Sequence, residues 1–114
     1  MDYNAIMYEA KFEARKKGQA FLDKYYAGQD EGMCGFAWVN IRPTNKGNTK
    51  AGKEERKVLR AMGFELDWTG KEFQWWNPSG LGVQNIDAKE AGAMAAARVL
   101  RDYGFDAYAG SRLD

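Results

Sequence analysis

Arg42, Lys46, Lys50, Lys53, Arg56, Lys57 and Arg60 place seven cations in one short stretch, against only Glu54 and Glu55. On a helix, Lys53, Arg56, Lys57 and Arg60 fall at i, i+3, i+4 and i+7 and share one face, with Val58, Leu59 and Met62 on the other side. That is a cationic stripe. Together with Arg42, Lys46 and Lys50 in the preceding loop, it suits neutralisation of several phosphates, a mode of binding that weakens steeply with salt and reads little base sequence. An ordinary solvated helix face has the same pattern, and the two glutamates offset part of its charge. The positive charge is nonetheless local: residues 42–60 carry +5, residues 1–41 carry −1 and residues 61–114 carry −3, which leaves the chain at +1.

The segment Gly47-Asn48-Thr49-Lys50-Ala51-Gly52-Lys53 has the glycine and lysine spacing of a phosphate-cradling loop, but Glu54 stands where a nucleotide-binding loop needs Ser or Thr to hold magnesium. NTP hydrolysis is therefore not expected, and what stays open is a simple anion nest at a helix start, or just a capped helix after a flexible loop. Other chemistry is scarce. With no His in the chain, His-based triads, His-bearing zinc sites and imidazole bases are excluded. Cys34 is solitary and expected to be buried and structural. Glu65, Asp67 and Glu72 flank a turn and are expected to be solvated. No cofactor and no metal are expected, and no convergent catalytic constellation is visible, so the expectation is a protein that is not an enzyme.

Two aromatic segments, residues 34–41 (CGFAWVNI) and residues 71–76 (KEFQWW), read as strands. Alternation puts Phe36 and Trp38 on one side and Ala37, Val39 and Ile41 on the other; Phe73 and Trp75 oppose Gln74 and Trp76. Such strands can present a stacking platform, as RNA-recognition domains do, though that comparison is one of fold alone. The preferred expectation is that the aromatic face is covered by the first helix. Trp68, Trp76 and Tyr108 are the candidate aromatic contacts for a protein partner.

A chain of 114 residues, 45% hydrophobic and 29% charged, is the size of one α+β domain with one core. Apolar spacing predicts a long helix over residues 3–27 with Tyr3, Met7, Ala10, Ala14, Phe21 and Tyr25 inward. A second helix is capped by Thr49 or Asn48 and stops at Gly63, and a tight hairpin turns at Thr69-Gly70. The third helix, capped by Asp87 with Glu90 three residues on, carries Ala91, Gly92, Ala93, Ala95, Ala96 and Ala97, a composition for close packing. FDAYA makes the last strand, and an extra strand over residues 81–84 is conceivable. The order after the first helix is strand, helix, strand, strand, helix, strand, so the expected architecture is a ferredoxin-like split βαβ preceded by a long N-terminal helix. It is expected to be a single unit, with residues 1–30 packing on or beside the sheet and residues 33–114 forming the core.

The strings Cys34-Gly35-Phe36-Ala37-Trp38-Val39 and Ala107-Tyr108-Ala109-Gly110-Ser111-Arg112-Leu113-Asp114 resemble segments of small uncharacterised proteins encoded by tailed bacteriophages. The resemblance implies bacterial host cytoplasm and a role in host takeover, counter-defence or genome handling, and it assigns no residue a function. Absence of an apolar run near the roughly 18 residues of a membrane span, and of secretory features in residues 1–10, points the same way. The leading expectation is a non-enzymatic accessory protein that binds nucleic acid or another polyanion through residues 42–60. The alternative is an inhibitor that sequesters a host defence enzyme. Arg112, in the terminal string, is expected either to pair with a carboxylate or to fray with the chain end.

Overall fold

The computed structural model describes residues 1–114. The first helix, α1 (Tyr3–Tyr26), starts where the Asp2 carboxylate accepts the Ala5 N–H at 3.1 Å and stops where Ala27 turns left-handed, its N–H donating to the Leu22 carbonyl. It buries Ile6, Met7, Ala10, Ala14, Gly18 and Leu22. The inward stripe is thus smaller in side-chain size than expected, and Tyr25 stays exposed. Helix α2 (Lys50–Ala61) is capped by Thr49, whose hydroxyl accepts the Gly52 N–H, and Gly63 at φ +100° follows it. Helix α3 (Ile86–Asp102) carries the alanine run.

The α3 cap differs from expectation. Asn85, not Asp87, accepts the Ala88 N–H, at 2.8 Å, while its amide nitrogen donates to the Glu31 carbonyl. Asp30 accepts the neighbouring N–H groups of Gln84 and Asn85 at 3.0 and 3.1 Å. These bonds fasten the loop after α1 to the start of α3. Asp87 is left in the first turn, where its charge favours the helix dipole.

Four strands, β1 (Gly35–Ile41), β2 (Glu65–Leu66), β3 (Phe73–Trp76) and β4 (Ala107–Leu113), form one antiparallel sheet in the order β2-β3-β1-β4. The turn between β2 and β3 is wider than a tight Thr69-Gly70 hairpin. Asp67 organises it, accepting from the Thr69 hydroxyl at 2.8 Å and from the N–H groups of Lys71 and Glu72. Residues 81–84 form no strand. Only an isolated bridge joins Cys34 to Asn85.

The molecule is α+β, but the ferredoxin-like split βαβ does not describe it. It is α1, from outside the β-α-β-β-α-β series, that packs along α3, while α2 reaches the same core through Leu59 with Val58 against it. The second helix is displaced from that position because its lysines and arginines leave it a narrow apolar edge, so that only Gly52 and Leu59 are buried. Moreover β2 is reduced to two residues.

The α1–α3 contact explains the small residues. An added Cβ at Gly92 would lie 2.9 Å from the Ala14 carbonyl oxygen and 2.8 Å from the Ser79 Cβ, and one at Gly18 would lie 3.1 Å from the Ala88 oxygen. Neither site tolerates a methyl group without movement. Below this contact, Ala93, Ala96, Ala97 and Leu100 meet Ala37, Val39 and Ala107 of the sheet in one core, which also takes in Ile6, Leu59, Met62, Phe64 and Phe73. No helix is long and apolar enough to cross a membrane.

Gly92→Ala is expected to cost about 1–3 kcal/mol through overpacking against α1, whereas Arg98→Ala on the exposed side of the same helix stays within about 0.5 kcal/mol. Chemical denaturation of the two variants checks this.

Candidate functional site

Backbone N–H groups of the loop after β1 need acceptors, and Glu55 of α2 supplies them. Its carboxylate accepts the Thr44 N–H at 2.8 Å, the Thr44 hydroxyl at 2.9 Å and the Asn45 N–H at 2.9 Å. Arg56 closes the other side by donating to the carbonyls of Asn45 and Gly52, both at 2.9 Å. The loop folds down so closely that a Cβ on Gly52 would sit 1.8 Å from the Lys46 oxygen, and only glycine fits there. The N–H groups that meet the Glu55 carboxylate are those of Thr44 and Asn45, outside the glycine-lysine segment of residues 47–53, whose Gly52 N–H is taken by the Thr49 hydroxyl. Partial burial pushes the Glu55 carboxyl up, but the hydrogen bonds from Thr44 and Asn45 outweigh that and hold it below the usual range.

The seven cations consequently divide into two groups. Arg56 is spent on the loop. Arg42 forms the only ion pairs of the molecule, to Glu72 at 3.6 Å and Asp106 at 3.4 Å, and its guanidinium lies 4.4 Å from the centre of the Tyr108 ring. Arg60 leans over Phe73 at 5.2 Å but keeps an exposed side chain. Lys46, Lys50, Lys53 and Lys57 are exposed and have neither an ion pair nor a side-chain hydrogen bond. On α2, Lys50, Lys53 and Lys57 follow one another at i, i+3 and i+7, which keeps them on one side of the helix.

The second group of candidates lies on the sheet. Ala37, Val39 and Ile41 face the helices, so Phe36, Trp38, Asn40 and Arg42 face away. Strand pairing sets Trp76 beside Trp38, Gln74 beside Asn40, and Arg112 beside Phe36. The expected cover is absent. All three helices bury their apolar sides in the core on the opposite face, and Phe36 and Trp76 remain 36% and 46% exposed. Trp38 and Trp76 have ring centres 4.6 Å apart at 30°, and Phe36 meets Trp76 edge-on at 6.2 Å. Phe73 and Trp75 point to the helix side, where Trp75 packs edge-on against Phe64.

Polar groups on this face are mostly satisfied. The Trp76 indole N–H donates to the Gln74 oxygen at 3.2 Å, and the Gln74 amide donates to Asn40 at 3.0 Å. Tyr108 donates to Glu72. Its phenol is pushed up to about 12, by burial first and then by that bond and charge, with Arg42 opposing. The exception is the Trp38 indole N–H, which is buried and has no acceptor. Its ring lies on Gly110, where a Cβ would come within 2.6 Å.

Several expectations need correction here. Arg112 pairs with no carboxylate and is not frayed, since β4 runs on to Leu113 and the guanidinium sits 5.5 Å from the Phe36 ring centre and 6.0 Å from that of Trp76. Cys34 is exposed, because it precedes the buried alternation of β1. Of the candidate aromatic contacts, which stand as candidates, Trp68 is 95% exposed in the β2–β3 turn, while Trp76 and Tyr108 lie on the sheet. Lys89 is a residue that sequence reasoning misses. It is buried, donates to the Gly35 carbonyl at 3.0 Å and approaches the Phe36 ring at 5.6 Å. The only signal for it is a lysine at the start of an alanine-rich helix.

No protein-family model matches the chain, and neither the curated proteins nor the solved structures contain a match to it. Function has to be argued from these side chains.

A lowered folded-state pKa means that Glu55 stabilises the loop above the ordinary value of 4.5 and loses that contribution as pH falls through its own, lower value. Acid titration should therefore move the amide NMR signals of Thr44 and Asn45 together below pH 4.5, and Glu55→Gln should shift both at neutral pH and speed their hydrogen exchange. Unmoved signals in that variant would show that Glu55 does not hold the loop.

Proposed function

We propose that this protein binds nucleic acid, without catalysis, through Lys46, Lys50, Lys53 and Lys57, with Arg42 and Arg60 at the margins. The observation that carries the reading is the division of charge within residues 42–60. One glutamate and one arginine fix the backbone of the loop, and the lysines that remain are exposed and unpaired. A fixed loop lowers the ordering cost of binding, and exposed ammonium groups exchange their counterions for phosphate. Arg56 belongs to the support and not to the contact surface.

The alternative, sequestration of a host enzyme, rests on Trp68, since an indole 95% exposed at the tip of a turn fits an anchor that inserts into a partner's pocket. It has less behind it. Around Trp68 no further aromatic group is gathered to complete a hydrophobic centre, and the polar groups of the turn are already engaged by Asp67.

Reversal of Lys53 and Lys57 to Glu should abolish retention on a polyanion column at low salt and lower the slope of log affinity against log salt by about 0.9 for each phosphate that is no longer neutralised. Equal retention of the double variant and the wild type would defeat the proposal. Arg56→Ala supplies the contrast: it should loosen residues 44–49 in hydrogen exchange, with a smaller drop in retention.

A further inference from the structure

The bare end of the sheet is built from Phe36 and Trp38 on β1, Trp76 on β3 and Arg112 on β4. Two physical features define what it can hold. Its rings are broad, partly exposed and already tilted against one another, so a further flat group can stack on them without reorganising the strands. Its free polar groups are donors. Arg112 is exposed, lies over the rings of both Phe36 and Trp76 and has no carboxylate partner, whereas the Trp38 N–H is buried against Gly110 and offers nothing to a ligand. Lys89 lies beside the Phe36 ring but is buried and donates to the Gly35 carbonyl, so it adds positive potential and not a contact. The acceptors nearby are committed: Gln74 to Trp76, Asn40 to Gln74, and the Gly35 carbonyl to Lys89.

A surface of aromatic rings and cations with no free acceptor complements a planar ligand that is rich in acceptors and negatively charged. We infer that this face stacks the unpaired bases of a single-stranded nucleic acid, with Arg112 toward the phosphates. Bases qualify because each has a flat π-face and acceptor edges, and the backbone supplies the charge. A duplex does not, because its bases are stacked on one another. A neutral sugar polymer fits less well, since it carries no charge to meet the Arg112 guanidinium. Gly110 is part of the device, as its lack of a side chain lets the Trp38 indole lie flat on β4. With its N–H unsatisfied, that indole is held by stacking alone.

The inference deepens the nucleic-acid reading and rests on it for the class of partner. The two are separable because the lysines serve any phosphate backbone and the rings serve only free bases.

The test uses the full chain and fluorescence anisotropy at low salt, with labelled oligothymidylate and a labelled duplex of equal length. Trp76→Ala and Phe36→Ala should each weaken binding of the single strand about 5- to 150-fold, the range that about 1–3 kcal/mol per stacked base converts to, and leave the duplex unchanged. Trp76→Phe should restore most of the affinity. Arg112→Ala should weaken the single strand and reduce its salt slope by about 0.7. These side chains are on the surface, and circular dichroism verifies that each variant is folded. Unchanged single-strand affinity in Trp76→Ala, Phe36→Ala and Arg112→Ala, with binding still abolished by reversal of Lys53 and Lys57, would overturn the stacking site alone. Failure of the wild type to bind either oligonucleotide would overturn both readings. Quenching of the tryptophan emission by a neutral oligosaccharide, with none by oligothymidylate, would also refute the stacking site.

Discussion

The close approach of α1 to α3 governs the layout of this molecule. Small facing residues let two helices approach closely, and here Gly92 lies against Ala14 and Gly18 against Ala88, with Ala10, Ala93 and Ala96 buried in the same core. Small side chains remove little apolar area individually, at about 25 cal/mol per Å². What they permit is a backbone separation at which the larger residues beneath, Val39, Leu59, Phe73 and Leu100, are sealed from water. The buried apolar surface of the helices is thereby committed to one side of the sheet, while Tyr8, Phe12, Tyr25 and Met94 stay exposed.

The opposite side follows by subtraction. Strand alternation means that every inward Ala37, Val39 or Ile41 has an outward Phe36, Trp38 or Asn40, and none of the three helices covers that outward side. The aromatic cluster is thus bare because of where the alanines are, and its members stabilise one another edge to face and ring to ring. Outward aromatic residues at adjacent positions of β1 and β3 form a partly exposed apolar patch, the observation from which the proposed stacking site is argued.

Local signals in the sequence carry much of the fold. Thr49, Gly63, the apolar alternation of β1 and the alanine run of α3 each impose their geometry through nearest neighbours, and each does so here. What escapes depends on partners distant in the chain. Asn85 displaces Asp87 as a cap because Glu31 and Asp30 lie across from it, and no local pattern contains that information. Glu55 reads as an offset to the stripe, whereas its partners are Thr44 and Asn45, reached only when the loop turns back. The same holds for the sheet. Alternation shows which residues share a face, but which face the long helix covers depends on the fit of α1 to α3, and the small residues of α1 are the available clue. The lysines of α2 and the sheet aromatics are visible as residue types; Gly110 and the placement of Arg112 beside Phe36 become visible only through strand register, and Lys89 only through its bond to Gly35.

The charges of residues 42–60 serve two ends in one segment. The Glu55 and Arg56 bonds are short, directional and tied to the backbone, and ions in solution screen such contacts far less than they screen separated charges in water. The lysines stand in solvent and are screened fully. If the proposed polyanion contact exists, ionic strength would act as a dial on grip alone: counterions would strip the outer ammonium groups of their hold while the scaffold beneath kept its shape, ready to re-engage when the salt is diluted.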